Sequence, residues 1–496
     1  MKRLLFSFLL VSSFFHILAE VTIIPNGLSY DDVLLVPQKS PVRSRKNVSM
    51  KTRLTKNIWL NIPIVSSNMD TVTEADMAIA LACLGGIGII HRFNTIQEQV
   101  AQVKTVKRHR NAIIEHPFVI PVDATIAQAH DLMKEHGVKG LLVVDQSQKL
   151  VGILTSRDIR FCPPESTPIT LLMTPRERLI VGRLGMSIDE AKQLLKEHRI
   201  EKLPLVDEAW NITGLITGKD IYTKAENPNA SVDGRGRLIV GAAIGVQEEE
   251  LVRAHALIEA DVDVLVLDIA HGHSDIALEF IRRVKKEFPG VELIAGNVAT
   301  PQGARALIEA GADAVKVGVG PGSICTTRIK TGSGYPQFSA IIECAQVADL
   351  YDVPVIADGG IKVSGDITKA IGAGASTVMI GSMFAGTDES PGIPFIKNGK
   401  KYKVVRGMAS FGANLGRQEK TKNNANPNDF VPEGVEALVP YKGGVAETVH
   451  QLVGGLASGL SYCGVSSVLE LRGNGIFVQI SQAGMRESNV HDVNAL

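Results

Sequence analysis

Residues 262–272 read Val-Asp-Val-Leu-Val-Leu-Asp-Ile-Ala-His-Gly. An apolar run ends at Asp268 and gives way to a polar loop closed by glycine. Near-continuous apolar runs suit strands buried on both faces, as in an all-parallel sheet. The same unit recurs at Ile62–Ser66, Gly86–His91, Leu238–Gly245, Val291–Ala295, Ala314–Gly318, Val353–Ala357 and Thr377–Ile380. Each run is followed by a helical pattern, and eight such units are what an α/β fold of the (β/α)₈ TIM-barrel type requires. Polar and glycine-rich residues follow the strands: Gly296-Asn297, Gly318 to Cys325, Asp358-Gly359-Gly360 and Gly381-Ser382. Those are the C-terminal strand ends, where barrel enzymes place their sites.

The 496 residues exceed one small domain. They predict two to four domains, or one large barrel with an insertion. The 52 basic and 52 acidic residues cancel. No net field draws the chain to nucleic acid or to an anionic membrane, and there is no basic stripe. The cysteines Cys83, Cys162, Cys325, Cys344 and Cys463 form no CxxC pair, which argues against a disulfide scaffold and a zinc site. Cys83, Cys162 and Cys344 read as inert buried thiols; Cys463 stays open.

Between the second and third strands lies a long segment with an internal repeat. Val138-Lys-Gly-Leu-Leu-Val-Val-Asp and Leu150-Val-Gly-Ile-Leu-Thr-Ser-Arg-Asp158 return as Ile200-Glu-Lys-Leu-Pro-Leu-Val-Asp and Ile212-Thr-Gly-Leu-Ile-Thr-Gly-Lys-Asp220. Each unit reads helix, strand, turn, strand, helix. The segment resembles a tandem CBS domain pair, residues 112–172 and 173–228, inserted between barrel parts 21–111 and 229–496. The resemblance implies that Thr155 with Asp158, and Thr217 with Asp220, hold the ribose of a purine nucleotide effector. Capping of the following helix accounts for the same residues equally well.

The chemistry concentrates in Gly318-Val-Gly-Pro-Gly-Ser-Ile-Cys-Thr-Thr-Arg328. Glycines let backbone N–H groups and the Ser323 hydroxyl approach an anion. A tight strand-to-helix turn with a buried cysteine is the plainer alternative. Asp358-Gly359-Gly360 and Gly381-Ser382 after the next two strands favour a site, because late strands of these barrels commonly build a phosphate pocket. A carboxylate beside it suits paired ribose hydroxyls, since it accepts two hydrogen bonds.

Gly320-Pro-Gly-Ser-Ile-Cys-Thr-Thr, Ile356-Ala-Asp-Gly-Gly-Ile and Gly386-Thr-Asp-Glu-Ser-Pro-Gly together resemble the family of inosine-5′-monophosphate dehydrogenase and guanosine-5′-monophosphate reductase. The likeness runs from Tyr30-Asp-Asp-Val-Leu-Leu-Val-Pro to Arg486-Glu-Ser. It implies that Cys325 attacks C2 of a purine mononucleotide and that a hydride then passes between that carbon and NAD or NADP. Thr327 and Glu433 serve the proton steps. Ser323, Gly359, Gly360, Gly381 and Ser382 hold the phosphate side and Asp358 the ribose, while Met408, Ala409 and Glu433 contact the base. Asp268, Asn297 and Gly318 lie on the nicotinamide side. Backbone carbonyls of Gly320, Gly322 and Cys325 bind K⁺ in the dehydrogenase. A homotetramer, extended to an octamer by the CBS pairs, is the implied assembly, with no nucleic-acid or membrane partner. The residues themselves support the covalent step: C2 is a poor hydride donor until a nucleophile makes it tetrahedral, and a thiolate is the best-suited side chain.

The flap between Met408 and Glu433, about residues 406–440, departs from the dehydrogenase pattern. That pattern needs an arginine followed by tyrosine to activate water, and here Arg417 is the only arginine within the flap. Lys330-Thr-Gly-Ser-Gly-Tyr-Pro-Gln, Asn68-Met-Asp-Thr, and Val405 in place of a phosphate-binding tyrosine resemble the reductase. The insert, Val431-Pro-Glu-Gly-Val-Glu, Tyr441-Lys-Gly and the C-terminal Arg-Glu-Ser read as dehydrogenase, and the breadth of that match tips the reading narrowly to the dehydrogenase. A nucleotide-sensing barrel without catalysis is the third reading; intact Cys325 and Glu433 speak against it. His271 and His273 have no third metal ligand at convincing spacing, and loop hydrogen bonding accounts for them.

Lys2 and Arg3 precede an apolar run, Leu4 to Ala19, with the outline of a secretory signal peptide. The rest reads as a cytoplasmic nucleotide enzyme, so residues 1–20 are expected to be a misplaced start ahead of Val21.

Overall fold

The structure is a computed structural model that describes residues 27–109, 114, 117–161, 167–183, 185–218, 227–421 and 431–490. The leader, Cys162 and Asp220 lie outside the described residues. Eight parallel strands close a barrel: β1 (Ile64–Ser66), β2 (Ile87–Ile90), β3 (Gly241–Ile244), β4 (Val264–Asp268), β5 (Glu292–Val298), β6 (Ala314–Val317), β7 (Val355–Asp358) and β8 (Thr377–Ile380). All eight fall within or against the runs expected from sequence. Val378 pairs with Ile64 and Gly241 with Ile89, so closure runs across β8–β1 and across the β2–β3 junction that the insertion interrupts in sequence.

Helices α1 (Ala75–Leu84), α2 (Ile96–His109), α3 (Glu249–Glu259), α4 (Asp275–Glu287), α5 (Pro301–Ala310), α6 (Gln337–Asp349), α7 (Ser364–Gly372) and α8 (Val445–Tyr462) form the outer ring. The α5 sequence shows how such a helix is bounded. Thr300 accepts the Gly303 N–H, Pro301 occupies the first turn, and Gly311 ends the helix in the left-handed region, the expected division of labour between the two ends.

Side chains alternate along a strand, and this parity decides what reaches the barrel interior. Val65, Ile89, Ala243, Val266, Ile294, Ala314, Ile356 and Met379 fill it. Leu54 and Leu60 join this interior cluster from the hairpin of Thr52–Arg53 and Trp59–Leu60. Two residues further along each strand, the same parity gives Ser67, His91, Gly245, Asp268, Gly296, Lys316, Asp358 and Gly381. The uppermost interior layer is therefore polar or empty of side chain, over an apolar floor.

The insertion departs after α2. Its first repeat builds a four-stranded sheet with Ile126–Glu135 as its helix, and its second a three-stranded sheet with Ile188–Glu197. The first sheet takes one strand, Thr174–Pro175, from beyond residue 172. Leu142, Leu150, Ile153, Val206 and Leu215 form a cluster shared by both repeats. The closing helix expected in the first unit is a turn at 156–161: Asp158 Oδ2 accepts both the Thr155 N–H and its hydroxyl at 2.7 Å. These two residues thus satisfy each other locally, as in a cap. The chain re-enters at Ser231, whose hydroxyl donates to the Gly85 carbonyl at 2.6 Å, at the strands' N-terminal end. No helix among the described residues is long and apolar enough to cross a membrane.

Candidate active site

A cavity of about 620 Å³ opens at the C-terminal end of the barrel. Ser323, Asp358, Gly359, Gly360, Gly381 and Ser382 line it, all expected from sequence. Gly359 and Gly360 have φ of 98° and 83°, a left-handed pair that only glycine adopts without strain. A side chain at Gly359 would also meet Pro321 at 2.9 Å. The two glycines bend the chain directly after Asp358 and bring it against the Cys325 loop. Gly318 makes a similar approach, its missing Cβ leaving room for the Asp358 carbonyl.

Cys325, Thr327 and Glu433 converge although 106 residues separate the last two. The reason is backbone pairing. Cys325 forms an antiparallel bridge with Gly434. The Thr326 N–H donates to the Glu433 carbonyl at 2.8 Å, and the Val435 N–H to that of Ile324 at 3.0 Å. The Cys325 Sγ then lies 3.2 Å from Thr327 Oγ1, which donates to Glu433 Oε2 at 2.8 Å. A nucleophile, a hydroxyl relay and a carboxylate stand in one hydrogen-bonded line. Such a line can move a proton to or from a group bound at the sulfur.

The flap supplies the other wall. Its strand Lys400–Arg406 pairs with Phe395–Lys397 and with Glu436–Pro440. Arg406 is anchored by Asp70, Nε to Oδ2 at 2.8 Å. The Met408 Sδ lies 3.3 Å from the Asp70 N–H, and the Ala409 carbonyl accepts the Glu433 N–H at 3.0 Å. Ala409 therefore helps place Glu433. Arg417, on the flap helix Phe411–Thr421, lies over the Phe93 ring at 5.4 Å. Its pKa is lowered by burial first and then by Arg92. Arg417, the only arginine between Met408 and Glu433, is thus engaged with the loop after β2.

On the far side, Asn297 donates to Asp358 Oδ2 at 2.9 Å and to the Gly318 carbonyl at 2.8 Å. Its amide holds the Asp358 carboxylate against the Gly318 carbonyl. Asp268 points into the same layer from β4, with Lys316 3.5 Å away. The Gly322 carbonyl accepts the Cys325 N–H at 3.1 Å, closing a turn. His271 and His273 contact each other edge to face at 6.3 Å, and the His271 carbonyl accepts from Ser274. Burial pushes the Cys344 thiol up to about 12, so it is inert at neutral pH.

Several residues at this site escaped the sequence reading. Tyr30, Met69, Arg328 and Lys442 line the cavity, and Lys316 lies beneath it. Tyr30 is fully enclosed, and burial raises its hydroxyl pKa, as does the charge of Asp366. Lys316 did leave a signal: a lysine within an apolar strand run can be buried only if paired.

A family model described as IMP dehydrogenase / GMP reductase domain matches residues 27–491. The chain belongs to the IMP dehydrogenase / GMP reductase family. Like its family, it is a nicotinamide-dependent oxidoreductase. It is 53% identical over 471 residues to an inosine-5′-monophosphate dehydrogenase of Nitrosopumilus maritimus, covering 94% of this chain and 98% of that one. It is 50% identical over 490 residues to a GMP reductase of Leishmania donovani, covering 97% and 99%. A crystal structure of a cysteine-to-alanine GMP reductase from Trypanosoma brucei with guanosine 5′-monophosphate superposes with a TM-score of 0.90 at 48% identity, covering 95% and 99%.

Proposed function

We propose that this family member is a GMP reductase, converting GMP and NADPH to IMP, ammonia and NADP⁺. The observation that carries the reading is the Cys325–Thr327–Glu433 line, beside a flap in which Arg417, the only arginine between Met408 and Glu433, lies over the Phe93 ring of the loop after β2. The insertion no longer favours the dehydrogenase, because the Leishmania relative aligns across the whole length, insertion included.

In this reading the Cys325 thiolate adds to C2 of the guanine. Glu433, through Thr327, passes a proton to the 2-amino group, which leaves as ammonia while the C2–S bond remains. NADPH, when bound, supplies the hydride that C2 receives. The carbon–sulfur bond then breaks, the electron pair returns to Cys325, and IMP departs. Ser323, Gly360, Gly381 and Ser382 seat the 5′-phosphate, Asp358 accepts from the ribose hydroxyls, and Asp268 faces the nicotinamide. No water needs activation, so the missing arginine–tyrosine pair costs this direction nothing.

IMP dehydrogenase is the second reading, favoured by the 53% identity to the archaeal enzyme; in it the carbonyls of Gly320, Gly322 and Cys325 hold K⁺. The repeat pair is proposed as a CBS module for a purine nucleotide effector, on a homotetramer or octamer in the cytoplasm. Nicotinamide absorbance separates the directions. Absorbance falling with GMP and NADPH, with ammonia released, is the expected result. A steady rise with IMP, NAD⁺ and K⁺ would establish the dehydrogenase, whereas a rise limited to one turnover fits the reductase.

A further inference from the structure

Lys316 is the one charged residue of its strand, and parity turns it inward with Ala314, directly under the cavity. Its side chain is 3% exposed. The ammonium reaches three neighbouring strand ends. It donates to Asp358 Oδ2 on β7 at 2.8 Å, to the Asn297 side-chain oxygen on β5, and lies 3.5 Å from Asp268 Oδ1 on β4. A buried ammonium is strongly driven to lose its proton unless carboxylates compensate. Burial does lower the Lys316 pKa, and Asp358 and then Asp268 more than offset it, so the group stays charged.

The consequence falls on Asp358. Lys316 and Asn297 both bind its Oδ2. Among the described residues, no hydrogen bond engages Oδ1. One oxygen is tied down from below, and the carboxylate lines the cavity. A carboxylate so held presents its second oxygen in a fixed direction, with its rotamer entropy already spent.

We infer that Lys316 is a positioning residue: it locks Asp358 so that the free oxygen meets the ribose diol of the mononucleotide. The assignment rests on the proposed role of Asp358 as the ribose acceptor. It makes a selective prediction, because a lysine that merely stabilised the barrel would affect all nucleotides alike.

The test is a ligand-and-variant cycle on the full chain, with Kd for GMP and 2′-deoxy-GMP measured by calorimetry in wild type and Lys316→Met. The wild type is expected to bind the deoxy nucleotide about 10- to 100-fold more weakly, the usual weight of a hydrogen bond to a charged group. In Lys316→Met the GMP affinity should fall by a similar factor and the deoxy penalty should shrink to about threefold or less. Lys316→Gln, which keeps a donor for Asp358 without the charge, is the second variant and should give an intermediate penalty. A wild-type penalty that persists unchanged in folded Lys316→Met or Lys316→Gln overturns the proposal and leaves the ribose assignment standing. A wild type indifferent to the 2′-hydroxyl overturns the ribose assignment and the proposal with it.

Discussion

Lys107 and Lys316 each reach two aspartates, at opposite ends of the barrel. Near its N-terminal end, the Lys107 ammonium bonds Asp233 at 3.1 Å and Asp263 at 2.6 Å. Asp233 also accepts the N–H groups of Arg235 and Arg237 and the Arg237 guanidinium, and Asp263 accepts the Val240 N–H. Asp233 is thus bonded on both oxygens by the protein itself, whereas Asp263 takes both of its bonds on Oδ2. At the mouth, Asp358 shares one oxygen between Lys316 and Asn297 and faces a cavity with the other, while Asp268 has Lys316 at 3.5 Å. The same pair of residue types is a fastening at Asp233, where the lone pairs are consumed, and at Asp358 leaves one oxygen unengaged among the described residues, on a residue that lines a cavity. Buried ion pairs do not announce function by being buried; what distinguishes Asp358 is unused hydrogen-bonding capacity beside a cavity.

This contrast can be broken by perturbing each end and reading turnover and stability separately. The largest effect is expected from Cys325→Ala, which should lower steady-state turnover by roughly 10⁴-fold or more while calorimetry finds GMP affinity within a few-fold of wild type. Glu433→Gln should lower kcat by about 10²–10⁴-fold with little change in the denaturant midpoint; retained turnover would remove the relay from the mechanism. Lys107→Met should do the reverse. Leaving Asp263 buried without its cation costs about 3–5 kcal/mol in equilibrium unfolding, with kcat near wild type wherever the protein remains folded. Asp358→Asn should weaken nucleotide binding by about 10- to 100-fold without comparable loss of stability.

The smallest effect concerns pH. At Asp233, burial works against the charge, but Lys107 and the Arg237 N–H outweigh it and hold the pKa below the usual carboxylate range. The unfolded chain takes up that proton more readily, so this stabilisation is present above the ordinary range and is lost as pH falls through it. At Asp263, burial outweighs Lys107 and holds the pKa above that range, so its contribution is present at low pH and is lost as pH rises through the raised value. The two oppose each other. Asp263→Asn removes one side, and its unfolding free energy should fall more steeply with acid than that of wild type. An equal slope would show that the carboxylates near the N-terminal end do not titrate in this way.

The barrel was legible because eight apolar runs cannot be buried on both faces in any simpler way, and the glycine loops marked which end was open. The residues that line the cavity were legible for the same reason: they follow strands, and glycine is needed where Gly359 and Gly360 turn left-handed. The resemblance named Cys325, Thr327 and Glu433, but not the backbone bridge that brings them together. Tyr30 was missed because nearly 300 residues separate it from the loops it meets, and no local pattern spans that distance. Lys316 was missed although parity placed it beside Ala314. The narrow preference for the dehydrogenase rested on the breadth of the match, which carries no information about proton transfer.

The side chains of Lys107 and Asp233 touch across the point where the inserted segment leaves and returns. The barrel's ring of strands closes without the segment. In evolutionary terms it is a cassette: a lineage can gain, exchange or shed it without redrawing the sheet. Were the proposed effector to act through one chain, its signal would have to cross the height of the barrel to reach Cys325.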